Sequence, residues 1–224
     1  MDPIKFLNTD EMVRNSFYLT YVFLMTTATI TFIEAMRTKI EKVRHILNLE
    51  TCISVVAAFF YSKFMQMVES PSIDYNKINR MRYVDWAITT PIMLLVLCLA
   101  FLFNSGGRLK FKTFLTILAL NFLMLFSGYA GSTNMIDKYV ALMVGFVFFF
   151  ALYGYIYQTF IATKPIFDNL ILYWSFFTFW IGYGLVYLQP DKFKNVVFNY
   201  LDLFAKAFVG IFFWAYFTKV FTLK

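Results

Sequence analysis

Charged side chains, cysteine and histidine are all scarce in this sequence. Only 15% of its 224 residues are charged, and it contains two cysteines and one histidine. A single histidine leaves no group of side chains with the spacing of metal ligands, so no metal site is expected. Cys52 and Cys98 both lie in apolar runs, which favours inert buried thiols over a disulfide. The shortage of charge also argues against a water-soluble domain.

The amino-terminal residues lack the pattern of a cleavable signal peptide. Residues Met1 to Arg14 are polar, without a basic segment, a short apolar stretch and a small-residue cleavage site in succession. The net charge of +7 could suggest a nucleic-acid partner, but the basic residues lie between apolar runs and not in one patch. We therefore expect no nucleic-acid binding, and membrane topology explains the basic residues better.

Hydrophobic side chains dominate the chain instead. They make up 60% of the residues, and this figure includes the aromatic 22%. They form seven segments, each long enough to cross a bilayer as a helix, with proline or glycine in the short connections. This pattern predicts an all-α membrane protein in which residues 1–224 form one seven-transmembrane-helix bundle. The segments are Ser16–Met36, Ile46–Val68, Met81–Phe103, Phe111–Gly128, Lys138–Ile161, Phe167–Leu188 and Val196–Phe221.

The distribution of lysine and arginine predicts the orientation of the bundle. Ten lie in the first, third and fifth connections and at the C-terminus, whereas seven lie on the opposite side, offset there by seven acidic residues. Because basic residues concentrate on the cytoplasmic side, we expect the N-terminus outside and the C-terminus in the cytoplasm.

The last apolar segment contains a carboxylate and an amine. Asp202 and Lys206 lie four residues apart and therefore share one helix face. A charge near the bilayer centre costs roughly 2.5–3.5 kcal/mol on insertion scales, so two of them need a reason. One interpretation is a structural ion pair between helices. The other is that Lys206 is a covalent attachment point, its amine condensed with an aldehyde as a Schiff base, with Asp202 as part of the counterion.

The third segment contains a second set of ionisable residues. Arg82, Asp85 and Thr89 follow the spacing i, i+3, i+7 and share one face. Pro91 lies inside this segment and is expected to kink the helix. The lysine, the two aspartates and the arginine could neutralise one another in a low dielectric. The alternative is a simple polar network that braces two helices.

These two motifs resemble those of a known family, the microbial (type 1) rhodopsins. Their third-helix signature is similar to Arg82-Tyr83-Val84-Asp85-Trp86, which continues to Thr89-Thr90-Pro91. Their seventh-helix retinal attachment is similar to Asp202-x-x-x-Lys206, and the stretch Leu123–Tyr129 and Trp174 also match. The short chain and the acidic first and second helices are most like the rhodopsins of giant algal viruses, with their light-gated cation channel subgroup. The resemblance implies a position in the host cell membrane.

The resemblance also implies a cofactor, all-trans retinal, bound to Lys206 as a protonated Schiff base. Asp85 would be the primary counterion and proton acceptor, Asp202 the second counterion and Arg82 the gate, while Trp86 and Trp174 would enclose the polyene. Met93 lies where the family tunes colour, and a methionine there predicts green absorption. The implied retinal pocket comprises Trp86, Thr89, Thr90, Met93, Met124, Gly128, Trp174, Phe177, Thr178 and Ala205.

Three positions depart from the family pattern. Where proton pumps of the family have a carboxylate donor, this chain has Val96, which cannot carry a proton. The tyrosine that would hydrogen-bond the second counterion is replaced by Phe177, and the following proline by Thr178. Asp202 is therefore expected to be less well satisfied than in the pumps, or to be bonded by Tyr61 or water. These changes put an efficient pump cycle in doubt.

Polar residues recur at helical spacing on the first, second, third and seventh segments, and far less on the others. Such stripes could line a hydrated ion path between four helices. The alternative is that the hydroxyl groups bond backbone carbonyls or neighbouring helices, which is common, and that the two glutamates are interfacial acids. The ion-pathway residues predicted in this way, besides the third-helix set, are Thr27, Thr31, Glu34, Glu50, Ser54, Tyr61, Asn195 and Asn199.

The function expected from these features is light-driven ion transport, foremost through a light-gated cation channel. Because Val96 cannot donate a proton, reprotonation should be slow, and a slow return suits a conducting state that lasts. The alternatives are an outward proton pump, with Glu50 or another acid as donor, and a sensory photoreceptor without transport. An enzyme is not expected, since no Ser-His or metal constellation accompanies Lys206. The expected partners are retinal, the lipid bilayer and cations or protons, and a homo-oligomer is left open.

Overall fold

A computed structural model of the protein describes residues 9–219. In this part of the chain the fold is a bundle of seven helices, which confirms the predicted fold class, and six of them are long and apolar enough to cross a membrane. The helices are α1 (Asp10–Arg37), α2 (Glu41–Val68), α3 (Tyr75–Ser105), α4 (Phe111–Ser132), α5 (Lys138–Ile161), α6 (Phe167–Leu185) and α7 (Asp191–Phe217).

Two helices begin earlier than predicted because side chains cap their first turns, and one helix ends earlier. Helix α3 begins at Tyr75, before the predicted Met81, since the Asp74 carboxylate accepts a hydrogen bond from the backbone N–H of Lys77 at 3.0 Å. Helix α1 likewise begins at Asp10, where the Thr9 hydroxyl accepts from the N–H of Met12. Helix α6 ends at Leu185, short of the predicted Leu188. Hydropathy alone could not place these polar first turns.

The helices pack side by side in chain order, and α7 returns against α1 to close the bundle. Because an odd number of helices crosses the bundle, the chain starts and finishes at opposite ends. We call these the amino-terminal end, where α1 begins, and the carboxyl-terminal end, where α7 finishes. The buried polar side chains concentrate on α1, α2, α3 and α7. Within residues 9–219, helices α4 to α6 add only Asn121, Ser127 and Asn169 to that set. The polar interior therefore lies to one side of an apolar core formed largely by α3, α5 and α6.

Helix α7 changes its winding around Lys206. It is α-helical over Asp191–Asp202, π-helical over Leu203–Phe208 and α-helical again over Val209–Phe217. Hydroxyls of α1 bond its backbone on both sides of the lysine: Thr20 donates to the carbonyl of Asn199 at 3.0 Å, and Thr27 to that of Ala207 at 3.1 Å. A single π-helical turn inside an α-helix is frequent at functional sites.

Candidate functional site

The buried charges predicted from the sequence lie in direct contact. The Lys206 Nζ is 2.7 Å from Asp85 Oδ2 and 3.3 Å from Asp202 Oδ1. The Arg82 Nη1 is 3.5 Å from Asp202 Oδ2. All four side chains are at most 1% exposed. Two cations and two carboxylates thus balance each other in the interior, as a buried charge cluster requires.

Two tyrosines hold Asp202 in addition to the cations. The Tyr61 hydroxyl donates to Asp202 Oδ2 at 2.8 Å, and the Tyr183 hydroxyl donates to Oδ1 at 2.7 Å. The expectation that Asp202 is poorly satisfied is therefore wrong, whereas the alternative of a bond from Tyr61 is confirmed. Tyr183 was not predicted, because the family pattern placed this tyrosine at the position of Phe177. The spacing Tyr173, Phe176, Trp180, Tyr183 marks one inward face of α6 and could have revealed it.

None of the three pocket residues predicted on α6 lines the cavity, because the inward face of the helix was misassigned. Trp174 is 52% exposed on the outer face of the bundle, and Thr178 is also exposed. Trp174 follows the buried Tyr173, and Thr178 lies two residues from both Phe176 and Trp180, so neither is on the inward face. Trp180, 7% exposed, takes the inward position that was predicted for Trp174. Phe177 is half-buried against Phe149 and does not line the cavity next to Lys206.

A cavity extends from Lys206 and Asp202 between α3, α4, α5 and α6. Among the residues predicted for the retinal pocket, five line this cavity: Trp86, Thr90, Met93, Met124 and Gly128. Two others, Thr89 and Ala205, are buried but do not line the cavity. The Thr89 hydroxyl donates to the carbonyl of Asp85 at 2.9 Å. Lining residues missed by the sequence reasoning include Tyr83, Phe146, Phe149, Trp180, Tyr183 and Phe198.

Glycines give this cavity its shape. A Cβ atom at Gly128 would lie 2.6 Å from the Tyr83 hydroxyl, and one at Gly184 would lie 2.7 Å from the Phe146 ring. Each glycine therefore admits an aromatic side chain that walls the cavity. The lining is mainly aromatic and aliphatic, with an amine at one end. Asp85 Oδ1 and Trp86 Nε1, which belong to that same end, are buried without hydrogen-bond partners within residues 9–219.

These features fit retinal. An elongated apolar molecule matches the aromatic lining, and the Lys206 amine is the group that an aldehyde would condense with. Trp86 and Trp180 would hold the polyene, and Asp85 would stay beside the nitrogen. Asn121 on α4 donates to the Thr90 hydroxyl at 2.8 Å and so ties α4 to α3 beside the cavity.

The predicted pathway residues divide between the two ends of the bundle. Toward the amino-terminal end, Asn199 donates to the Ser16 hydroxyl at 2.8 Å and accepts from Tyr61 at 3.1 Å and from Arg82. Asn195 accepts from Arg82 Nε at 3.0 Å and donates to Asn79 at 3.2 Å. Arg82 therefore lies at the centre of a dense network that joins α2, α3 and α7.

Toward the carboxyl-terminal end, the polar side chains are fewer and less connected. Thr31 bonds Thr51 at 2.8 Å, and the buried Ser54 hydroxyl has no partner within the described residues. Glu50 is 1% exposed and, in the same part of the chain, has no ionic or hydrogen-bond partner. A Cβ atom at Gly210 would lie 3.2 Å from Glu50 Oε2 and 2.6 Å from Thr27 Cγ2.

Two further predicted positions bear on transport. Glu34 is partly exposed, with its carboxylate 3.9 Å from Arg37, so it lies near the end of α1. Val96 is fully buried in the apolar core among α3, α5 and α6, and this surrounding does not suit a proton-carrying group. The acid closest to the interior on the carboxyl-terminal side is thus Glu50, on α2.

Comparison with known proteins gives consistent matches. The family model described as bacteriorhodopsin-like protein matches residues 12–220. The viral rhodopsin OLPVRII is 53% identical, with a TM-score of 0.89 over 94% of this chain and 99% of that one. The proton-pumping rhodopsin AR2 from the marine alga Acetabularia acetabulum is 16% identical, with a TM-score of 0.75 over 94% and 96% of the two chains. No curated protein matches the chain.

Proposed function

This chain belongs to the bacteriorhodopsin-like family, in which retinal binding and ion transport are expected, and we propose that it is a light-gated cation channel. The observation that carries the proposal is the grouping of buried polar side chains on α1, α2, α3 and α7, on both sides of Lys206. Such a grouping is what a hydrated path through one side of a helical bundle needs.

The charge cluster supplies the proton transfer that follows the absorption of light. Bound all-trans retinal supplies the absorption of visible light and a change of shape next to Lys206. Asp85 Oδ2, at 2.7 Å, is placed to take the proton held on the Lys206 nitrogen. Asp202 keeps its charge, because Tyr61 and Tyr183 both donate hydrogen bonds to it.

Proton transfer would also loosen the barrier at Arg82. The transfer neutralises the Lys206 nitrogen and Asp85 together, so the cluster is reduced to one cation, Arg82, and one carboxylate, Asp202. Arg82 then no longer feels the charges of Asp85 and Lys206, and the forces that hold it in the interior change. Cations could then pass from the amino-terminal network toward Thr27, Ser54 and Glu50. The acidic Glu34 and Glu50 would attract them at the carboxyl-terminal side, which in this proposal faces the cytoplasm.

The test is whole-cell photocurrent against voltage in retinal-supplied cells, with sodium and potassium gradients varied. We expect a current that reverses sign at a potential that follows those gradients. Lys206→Ala, which removes the attachment amine, is the control and should give no current. A visible band without any current would favour a sensory photoreceptor.

A proton pump is the second candidate, favoured by one specific observation. Glu50 is buried and unpaired among the described residues on the side of Lys206 away from Arg82, where a donor could return a proton. Asp85 would be the acceptor. In this case the current stays outward at every accessible voltage.

A further inference from the structure

Aromatic rings surround the Arg82 guanidinium. The guanidinium carbon lies 5.1 Å from the ring centroids of Phe17 and Phe64, 5.7 Å from that of Phe198 and 5.8 Å from that of Tyr61. These rings come from α1, α2 and α7, whereas Arg82 is on α3. The four residues Phe17, Tyr61, Phe64 and Phe198 are called the ring cage below.

The ring cage replaces water around a charge that is 1% exposed. A guanidinium over an aromatic face is attracted by the negative face of the ring, and more strongly where water is absent. The guanidinium also donates hydrogen bonds to the side-chain oxygens of Asn195 and Asn199, and Asp202 Oδ2 lies 3.5 Å from Nη1. The cation is thus held by polar groups and by ring faces together.

The members of the ring cage differ in their other contacts. Phe198 lines the cavity and packs against Trp86, with ring centroids 5.3 Å apart. Tyr61 also donates to Asp202. Phe17 and Phe64 do neither: they pack on each other at 5.6 Å and on Tyr61. Any effect of these two rings on the charge cluster therefore acts through their neighbours Arg82 and Tyr61.

We propose that Phe17 and Phe64 are positioning residues that hold the Arg82 guanidinium in the closed path and set how fast that path closes after light. The second half of this statement rests on the proposed channel function. Leucine in place of either ring removes an attraction to the guanidinium that an aliphatic side chain cannot supply. In these variants Arg82 is therefore displaced from its closed-path position more often.

The first measurement concerns Arg82 alone, in the dark. We expect the hydrogen exchange of its side-chain Nε–H, followed by nuclear magnetic resonance in labelled protein, to be about fivefold faster in Phe17→Leu or Phe64→Leu. Phe60→Leu is the matched control, because Phe60 is a buried phenylalanine of α2 that packs on Phe59 and is not part of the ring cage. It should leave the exchange unchanged. Equal exchange in wild type and both variants would overturn the proposal.

The second measurement separates ring charge from ring shape. Phenylalanines with increasing numbers of fluorine atoms, incorporated at position 64, keep the ring but weaken its negative face. Nε–H exchange should rise stepwise with fluorination, and a flat response would mean that Phe64 only fills space. This readout remains valid if Phe64→Leu folds poorly.

The third measurement tests the link to transport. In a channel, the current after light-off should decay about fivefold more slowly in Phe64→Leu, and stepwise more slowly with fluorination. No passive current in the wild type would refute the channel while the exchange data still test the role of the rings. A wild-type channel with decay unchanged in every variant would refute the closing role.

Discussion

At the scale of single residues, the site depends on which side chains of α6 point inward. Trp180 lines the cavity, whereas Trp174 lies on the outer face with half of its surface exposed. Tyr183, one turn beyond Trp180, reaches Asp202. One face of α6 thus serves both the apolar wall and the charge cluster.

We predict that Trp180→Ala and Trp174→Ala have different effects on chromophore binding. Removing a buried tryptophan costs about 3–5 kcal/mol and opens the cavity wall, so Trp180→Ala should lose most of its visible band on mild heating. Trp174→Ala should match the wild type closely, because surface substitutions usually change the stability by less than about 0.5 kcal/mol. The measurement is the temperature at which the visible band disappears in detergent. Equal losses would contradict the placement of α6.

At the scale of helices, the contact between α1 and α7 depends on a glycine. Gly210 lies against Thr27 and Glu50 so closely that a Cβ atom would meet Thr27 Cγ2 at 2.6 Å. Gly154 on α5 has no atom within 4 Å of an added Cβ. The two glycines therefore form a natural comparison between a packed and an open helix surface.

Gly210→Ala should destabilise the protein, and Gly154→Ala should not. Overpacking a tight contact costs typically about 1–3 kcal/mol, and it would push α1 away from the turn that carries Lys206. An alanine in an open helical position gains roughly 0.5–1 kcal/mol over glycine. The thermal midpoint of the visible band reports both. If Gly210→Ala is as stable as Gly154→Ala, helices α1 and α7 are less tightly packed than the structure has them.

The seven helices and their buried charges could be predicted from the sequence, whereas the inward face of α6 could not. Long apolar runs gave the seven helices, and rare charges inside them, such as Asp85 and Lys206, marked the site, because a charge in lipid is costly enough to stand out. On α6 nearly every residue is apolar, so inward and outward faces differ little in composition. A single tryptophan, Trp174, was therefore assigned to the wrong face. The π-helical turn near Lys206 left no signal in residue type at all.

At the scale of the whole molecule, polar side chains occupy one side of the bundle and an apolar core occupies the other. On the amino-terminal side of Lys206 the polar groups are connected through Arg82, and on the carboxyl-terminal side they are sparse, with Glu50 unpaired within residues 9–219. The bundle therefore has one closely bonded half and one loosely bonded half. Channel and pump would use Glu50 differently, as a group that attracts cations or as one that returns a proton.

Glu50→Gln separates these two uses, because glutamine keeps the shape and removes both the charge and the proton. In a channel the current should fall a few-fold while its reversal potential still follows the cation gradients. In a pump the sustained outward current should fall at least about tenfold, since typical contributions of a positioned proton-transfer group are 10²–10⁴-fold, and a small membrane-permeant acid should restore it. Glu41→Gln, at the exposed beginning of α2, is the matched control for a change of charge outside the interior. An unchanged current in Glu50→Gln would remove Glu50 from both mechanisms and leave Thr27, Thr31, Glu34 and Ser54 as the remaining predicted pathway residues on that side.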